Sequence, residues 1–538
     1  MMKRIFIMLL CIALVKVSSA QKDDTERIEA LLDKGECDKA KTLYDAHVRK
    51  VKFTDYSIEK RISRCKAEFW YNAGLEKYAQ GKYSDAFLLY TMAAKNDYAA
   101  AQYELGRCYE LGHGTSKDLS EALDMYRNAA EQNNPKAQNR MGVFYYEGIG
   151  VPVNNSEAVI WFRKAAERGL EEAQYRLAIC YLKGMGVNKS YAEAVKWFRK
   201  AAEQGDAESQ YYMGLCYYRR YGLPRNYYEA VEWFKKAVDQ NHVMAQFYLG
   251  LCYYEGNGVK RDYATAYHWF TKAEKSGNVE AQYYIGLCHY EGNGTNKNYA
   301  EAVKYFTKAA ENGNAEAQYR LAECYRTGYG VEKDNDEAVK WYTKAAEQNH
   351  APACYRLGVC HYNGLGVEQN PAEAVKWFTQ ASDKDYMAAQ YSLAKCYSQG
   401  IGVEQNYQEA AVLFRKVAER GYYKAQYNMG LCYDQGLGVE RNISEAAKWY
   451  RKAAEQGYAP AQSNLAACYA SGEGVSENLG EAFAWFQEAA ERGDADAQYY
   501  LGVCYDKGYG VNENRFLAKK WYRKAAKQGH EAARKVLE

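Results

Sequence analysis

Residues 173–205 read A-Q-Y-R-L-A-I-C-Y-L-K-G-M-G-V-N-K-S-Y-A-E-A-V-K-W-F-R-K-A-A-E-Q-G. The apolar or small residues Ala173, Leu177, Ala178, Cys180 and Tyr181 fall on one face of a helix, and Gly184 supplies the left-handed residue that ends it. A Gly-x-Gly-Val loop follows, and then a second helical pattern opened by Ser190 and closed by Gly205. The stretch predicts a helix-turn-helix unit. It recurs twelve times at a spacing of 36 residues without one insertion. Eleven of the fifteen cysteines, from Cys108 and Cys180 to Cys504, hold one register, and Phe144 fills the missing slot. A lone helix pair of this size cannot cover its own apolar faces, so each copy must stack on its neighbours. The expected fold is all-α, a right-handed α/α superhelical solenoid of helix-turn-helix repeats.

The local signals agree with that reading. Each second helix opens on Asn, Asp or Ser, among them Asp118, Asn154, Asn226 and Asn514, whose side chains accept from free N–H groups of the first turn for about 1 kcal/mol each. Ten copies place Glu three residues later, which predicts a reciprocal capping box. Trp161, Trp197, Trp233, Trp269, Trp341, Trp377, Trp449, Trp485 and Trp521 share a register in which Tyr305 and Leu413 substitute, and they predict an aromatic ladder as the stacking contact.

Outside the repeats, residues 1–20 combine Lys3 and Arg4, an apolar run from Ile5 to Val15, and Ser18-Ser19-Ala20, which predicts a secretory signal cut between Ala20 and Gln21. The apolar run is shorter than a membrane span needs, and no later segment offers one, so no integral membrane segment is expected after signal removal. Residues 21–96 predict two tetratricopeptide-like helix pairs, marked by Leu32, Gly35, Ala40 and Tyr44 and then by Trp70, Gly74, Gly81, Tyr83, Ala86 and Tyr90. The twelve repeats then occupy 97–529, and 530–538 reads as a capping helix. The chain has 538 residues and 54 tyrosines, as copying of one module would produce. Its formal charge of +3 comes from the three bases of the first twenty residues, so the remainder is neutral and gives no support for a nucleic-acid partner.

The pattern A-x-x-L-G-x-C-Y-x-x-G-x-G-V followed by E-A-V-x-W-[FY]-x-K-A-A-E-x-G resembles the Sel1-like, tetratricopeptide-like repeat family, over residues 97–538. The resemblance implies an α-solenoid that acts as an adaptor. In bacteria such members are secreted or periplasmic, and in eukaryotes they serve in the endoplasmic-reticulum lumen. A cysteine-rich bacterial branch of the family staples each repeat with a disulfide and has been credited with penicillin binding or β-lactamase activity. The branch places one Cys early in the first helix and one late in the second, whereas this chain has only Cys354 at the former position and Ala345-Ala346 at the latter.

The remaining motifs read as structure. Equivalent cysteines in successive repeats are spaced too far apart for a bridge, so the column is expected in the core as small hydrophobes, with no metal or cofactor; Cys37 and Cys65 are left as a possible pair. His289 and His361 each follow a column cysteine, without further ligands at metal spacing. The Gly-x-Gly loops lack the strand and third Gly of a dinucleotide fingerprint. Ser57-Ile58-Glu59-Lys60, Ser63-Arg64-Cys65-Lys66, Ser476-Glu477-Asn478 and Lys275-Ser276-Gly277 match fragments of penicillin-recognising motifs, which need an α/β scaffold that an all-helical chain does not supply. No catalytic residue is assigned.

Variation against a fixed register marks the candidate site. The position four before the column cysteine reads Glu104, Arg140, Arg176, Tyr212, Tyr248, Tyr284, Arg320, Arg356, Ser392, Asn428, Asn464 and Tyr500. These residues are expected on one exposed face of the first helices, which line the concave side of solenoids. Tyr and Arg are enriched at binding hot spots because they join area to directional polar contact. Arg140, Arg176, Tyr212, Tyr248, Tyr284, Arg320, Arg356 and Tyr500 are therefore the candidate partner-binding residues. The expected function is an exported, non-enzymatic scaffold, periplasmic or extracellular, holding a protein or peptide along the groove. The alternatives are a hydrolase of the cysteine-rich branch and a cell-envelope glycan binder.

Overall fold

The computed structural model describes residues 22–51 and 56–538, and every regular element among them is an α-helix. The expected signal segment and its Ala20–Gln21 junction lie outside the described residues. The chain divides into two compact units between Trp269 and Phe270. The first unit begins with a helix over 22–33 and Cys37–Val51, continues with Tyr56–Ala79 and Tyr83–Ala94, and then runs through helix pairs from Ala99–Leu111 and Leu119–Glu131 to Val243–Glu255. Helix Tyr263–Lys275 carries the division. The second unit runs from there through pairs such as Val279–Glu291 and Tyr299–Glu311 to Ala495–Lys507 and Arg515–Lys527, and ends on Glu531–Leu537. No helix of the described residues is long and apolar enough to cross a membrane.

The helix ends follow from the caps. In all twelve repeats the Asn, Asp or Ser cap accepts from the N–H three residues on, as Asn226 does from Glu229 at 3.2 Å and Asp334 from Glu337 at 3.0 Å. The expected capping box does not close. The cap's own N–H donates instead to a first-helix carbonyl nine residues back, Asn226 to Tyr217 at 3.2 Å and Asp334 to Tyr325 at 2.9 Å, so the loop is pinned to the helix it leaves. The freed Glu pairs with the Lys three residues on, as in Glu373–Lys376 and Glu445–Lys448. In the loop, the first Gly is replaced by Arg220, which accepts a φ of 65°. The second Gly has a tighter constraint, because a Cβ on Gly186 would collide with the carbonyl of Asn155 in the preceding repeat.

The ladder tryptophan packs on a core cluster that spans two repeats, as Trp161, Trp449 and Trp521 do. Its neighbour fills the core: Tyr126, Phe162, Phe198 and Phe234 in the first unit, and Phe270, Phe306, Tyr342, Phe378, Phe414, Tyr450, Phe486 and Tyr522 in the second, are each at most 4% exposed. In seven repeats the ring lies against a Gly of its own first helix, at Gly106, Gly142, Gly214, Gly286, Gly358, Gly430 and Gly502. A Cβ on Gly214 would stand 2.5 Å from the Phe234 ring, and one on Gly286 would stand 2.7 Å from Phe306. Consecutive helix positions diverge by about 100°, so the adjacent Trp turns toward the rim, where most are half-buried. There the Lys three residues on covers the indole, with Lys236 4.1 Å from Trp233 and Lys452 3.9 Å from Trp449.

A buried Gln column closes the other side. Gln174 donates to the carbonyl of Ala166 at 3.1 Å and accepts from Gln204 at 2.8 Å; Gln318 does the same with Ala310 and Gln348 in the second unit. Cys354 takes the Gln position in its repeat. The column cysteines are free thiols, buried apart from the half-buried Cys468. Cys37 and Cys65 are bonded, with Cα atoms 5.7 Å apart.

Candidate partner-binding face

The candidate row lies on the first helices, but two packing rules hold it there. Where the residue is Tyr, its ring stacks on the core Phe of the preceding repeat. In the first unit Tyr212 lies 4.8 Å from Phe198 and Tyr248 lies 5.5 Å from Phe234; in the second Tyr284 is 5.1 Å from Phe270 and Tyr500 5.3 Å from Phe486. This contact corrects the expectation of an exposed face. Tyr248 is 7% exposed, Tyr212 and Tyr284 are half-buried, and Tyr500 alone of the four presents 45% of its surface. A ring at this position has the flat face of a neighbouring repeat to lie on, and burying it there is more favourable than leaving it in water.

Where the residue is Arg, it reaches an acid. Arg176 pairs with Glu172 at 3.0 Å and Arg320 with Glu316 at 3.3 Å, both one turn away on the same helix. Arg140 and Arg356 instead cross to the preceding repeat, donating to Glu110 and to Glu323. Both acids also accept from a core tyrosine, Glu110 from Tyr126 and Glu323 from Tyr342. Burial pushes both carboxyls up, but the hydrogen bonds, from Arg140 and Tyr126 to Glu110 and from Arg326 and Tyr342 to Glu323, hold them below their ordinary range. All four Arg side chains keep about a third of their surface in water. Apart from the buried Glu104 and Tyr248, the row thus keeps part of its surface in water, with its Arg and Tyr groups pre-ordered.

Some candidates are gathered into cavities. Arg140 lines one of about 370 Å³ with Tyr103, Arg107, Glu110, Lys136, Asn139, Leu170 and Glu172, all in the first unit. Tyr500 lines one of about 320 Å³ in the second, walled by Ala467, Ala470, Phe486 and Val503. The sequence reading passed over the position just before each candidate, from which Tyr103 and Asn139 line the first of these cavities. It is aromatic in ten repeats, with Asn139 and Ser463 the departures, and that break in a fixed column was the signal available.

The other motifs stay apart. Ser57 and Ser63 sit on helix Tyr56–Ala79 of the first unit, and Ser476 lies in a loop of the second. Among the described residues no three His, Cys, Asp or Glu side chains gather as a metal-binding group. Burial pushes the Cys180 thiol up to about 11 and the Cys216 thiol to about 12, the opposite of what a nucleophile or metal ligand needs.

The comparisons agree with the repeat geometry. The family model described as Sel1 repeat matches twelve consecutive segments, from 99–134 and 135–170 to 495–530. The solved structure of c5321, a protective antigen present in uropathogenic Escherichia coli strains and displaying an SLR fold, is 35% identical, covering 84% of this chain and 97% of that one with a TM-score of 0.63. A Sel1 repeat protein from Oxalobacter formigenes is 34% identical over 45% of this chain and 96% of its own, with a TM-score of 0.43. No curated protein matches significantly. With the cap, the second loop glycine and the core ring recurring in every matched segment, this chain belongs to the Sel1 repeat family.

Proposed function

We propose that this Sel1 repeat scaffold is exported, binds a protein or peptide segment along its first-helix face, and performs no chemistry on what it binds. The observation that carries the reading is the candidate row itself. The core rings, caps and loop glycines around it are held nearly constant by packing, while the row varies among Arg, Tyr, Asn, Ser and Glu. Its arginines are fixed by acids yet remain a third exposed, so they meet a partner with little ordering cost. Export is supported by the charged and apolar pattern of residues 1–20 and by the Cys37–Cys65 disulfide, a bond that persists in oxidising compartments. It also suits the similarity to c5321, a protective antigen.

The test uses the exported chain as bait in its own host, beside the Arg176→Ala and Arg320→Ala variants. These two residues are half-exposed and each pairs with an acid on its own helix, Arg320 bonding Tyr283 of the preceding repeat as well, so the helical circular-dichroism signal should stay unchanged. Each variant is expected to weaken capture of the wild-type partner about fivefold, the effect of losing one modest hot spot. Equal capture by both variants would remove the row from the binding surface. Covalent labelling by a fluorescent penicillin would replace the scaffold reading with an enzymatic one.

A further inference from the structure

The cavity of about 370 Å³ in the first unit is built around one departure from the repeat. At the position before the candidate row, Tyr103, Tyr175 and Tyr211 lay their rings 5.7, 6.1 and 6.2 Å from the core aromatics of their own repeats, Tyr126, Phe198 and Phe234. In repeat 135–170 that residue is Asn139. The missing ring leaves an open space, walled by Tyr103, Leu111 and Leu170.

Asn139 is 5% exposed, and its Oδ1 has no hydrogen-bond partner among the described residues. A buried amide oxygen left unpaired costs about 1–3 kcal/mol, so an asparagine there calls for a donor from outside the chain. The other departure, Ser463, makes the contrast, because its hydroxyl is bonded to Asp494. The charges around Asn139 are also uneven. Arg107, Arg140 and Glu172 are each taken by a partner, Glu104, Glu110 and Arg176. Lys136, exposed one turn before Asn139, pairs with no acid among the described residues.

We infer that this cavity is a docking pocket for an extended acidic peptide segment, with the Asn139 carboxamide accepting from a backbone N–H and Lys136 meeting a carboxylate side chain. The inference rests on the groove-binding reading and names one point on it. A carboxamide offers an acceptor and a donor side by side, the arrangement that a peptide strand presents in reverse. The volume lies in the range of ordinary ligand pockets, and the pocket is open to solvent, so a chain can lie across it. Tyr103, Leu111 and Leu170 provide apolar walls for the aliphatic part of a side chain.

The test measures fluorescence anisotropy of a fluorescein-labelled, end-blocked hexapeptide of alternating glutamate and glycine, with its serine–glycine counterpart as control. The proteins are the full chain and its Asn139→Tyr and Lys136→Glu variants. Asn139→Tyr restores the residue type of most other repeats, so it is expected to keep or raise the thermal midpoint while weakening the acidic peptide at least tenfold. Lys136→Glu should weaken the acidic peptide several-fold and leave the control unchanged. No binding by the wild-type chain, or binding that Asn139→Tyr leaves within twofold, overturns the pocket. So does preferential binding of a soluble cell-wall glycan that Asn139→Tyr abolishes. If Asn139→Tyr is without effect while Arg176→Ala still loses the native partner, the pocket fails and the groove reading stands; if capture is also unchanged, both fail.

Discussion

The helix pairs before residue 97 and the hairpins after it solve one packing problem in two ways. The pair Tyr56–Ala79 and Tyr83–Ala94 follows the rule of the repeats, since a Cβ on Gly74 would stand 2.6 Å from the ring of Tyr90, as one on Gly214 would stand 2.5 Å from Phe234. The pair before it does not. Helices 22–33 and Cys37–Val51 bury Ile28, Ala40 and Tyr44 against Ile58 and Ile62, a small core with no glycine-and-ring lock, and the Cys37–Cys65 bond ties them to the next helix. Cysteine therefore has opposite uses in one chain. In the repeats it is a small buried hydrophobe, and at the amino end it is a covalent tie that substitutes for a core too small to hold by itself.

The largest effect comes from breaking the lock. Phe234→Ala would empty the space between Gly214 and the neighbouring repeat, and a fully buried ring lost without collapse costs about 3–5 kcal/mol. Because each repeat touches only its neighbours, the loss should concentrate in repeats 207–242 and 243–278. Hydrogen exchange by mass spectrometry should show those segments opening first, and a uniform loss along the chain would contradict nearest-neighbour stacking.

The next effect tests the other solution. The disulfide closes a loop of 28 residues, for which chain entropy alone assigns about 3–4 kcal/mol. Paired Cys37→Ala and Cys65→Ala changes should raise exchange in helices 22–33 and Cys37–Val51 while leaving the main thermal transition of the repeats in place. A shift of that main transition would mean that the amino-terminal pair stabilises the array as a cap, and the two regions would then share one cooperative fate.

The repeat register, the helix caps and the buried cysteine column were legible in the sequence, because each depends on a single residue type at a fixed place on one helix. What was not legible depends on contacts between helices. The capping box failed because the cap N–H of Asn226 finds Tyr217 first, a bond visible only once the loop is folded back. The core ring at Phe234 was not singled out beside the Trp233 ladder, since both fall near the apolar face and only the glycine opposite distinguishes them. Tyr248 was expected in water because a single-helix pattern does not contain the Phe234 ring of the preceding repeat. One covariation could have been read. In three of the four repeats whose core ring is Tyr, at Tyr126, Tyr450 and Tyr522, an acid stands sixteen residues earlier, at Glu110, Asp434 and Asp506, and in the first two pairs it accepts the buried hydroxyl, while Tyr342 has Arg326 there and donates to Glu323 instead.

The smallest effect separates the two uses of cysteine by pH. Burial pushes the Cys216 and Cys252 thiols from about 9 to about 12, whereas the bonded Cys37 and Cys65 do not titrate. Below pH 9 both folded and unfolded chains keep these protons, and the thiols contribute no pH dependence. Between pH 9 and 12 the unfolded chain releases them while the folded chain holds them, so stability falls as pH rises, by about 1.4 kcal/mol per pH unit for each thiol. Cys216→Ala removes one such group. The variant should be less stable than wild type at pH 8, through lost packing, and the gap in unfolding free energy from denaturant titration should narrow by about 1 kcal/mol by pH 10. The variant lacking Cys37 and Cys65 should show a gap that does not change with pH. A constant gap for Cys216→Ala as well would show that its thiol ionises as freely in the folded chain as in water, and the core placement of the column would fall with it.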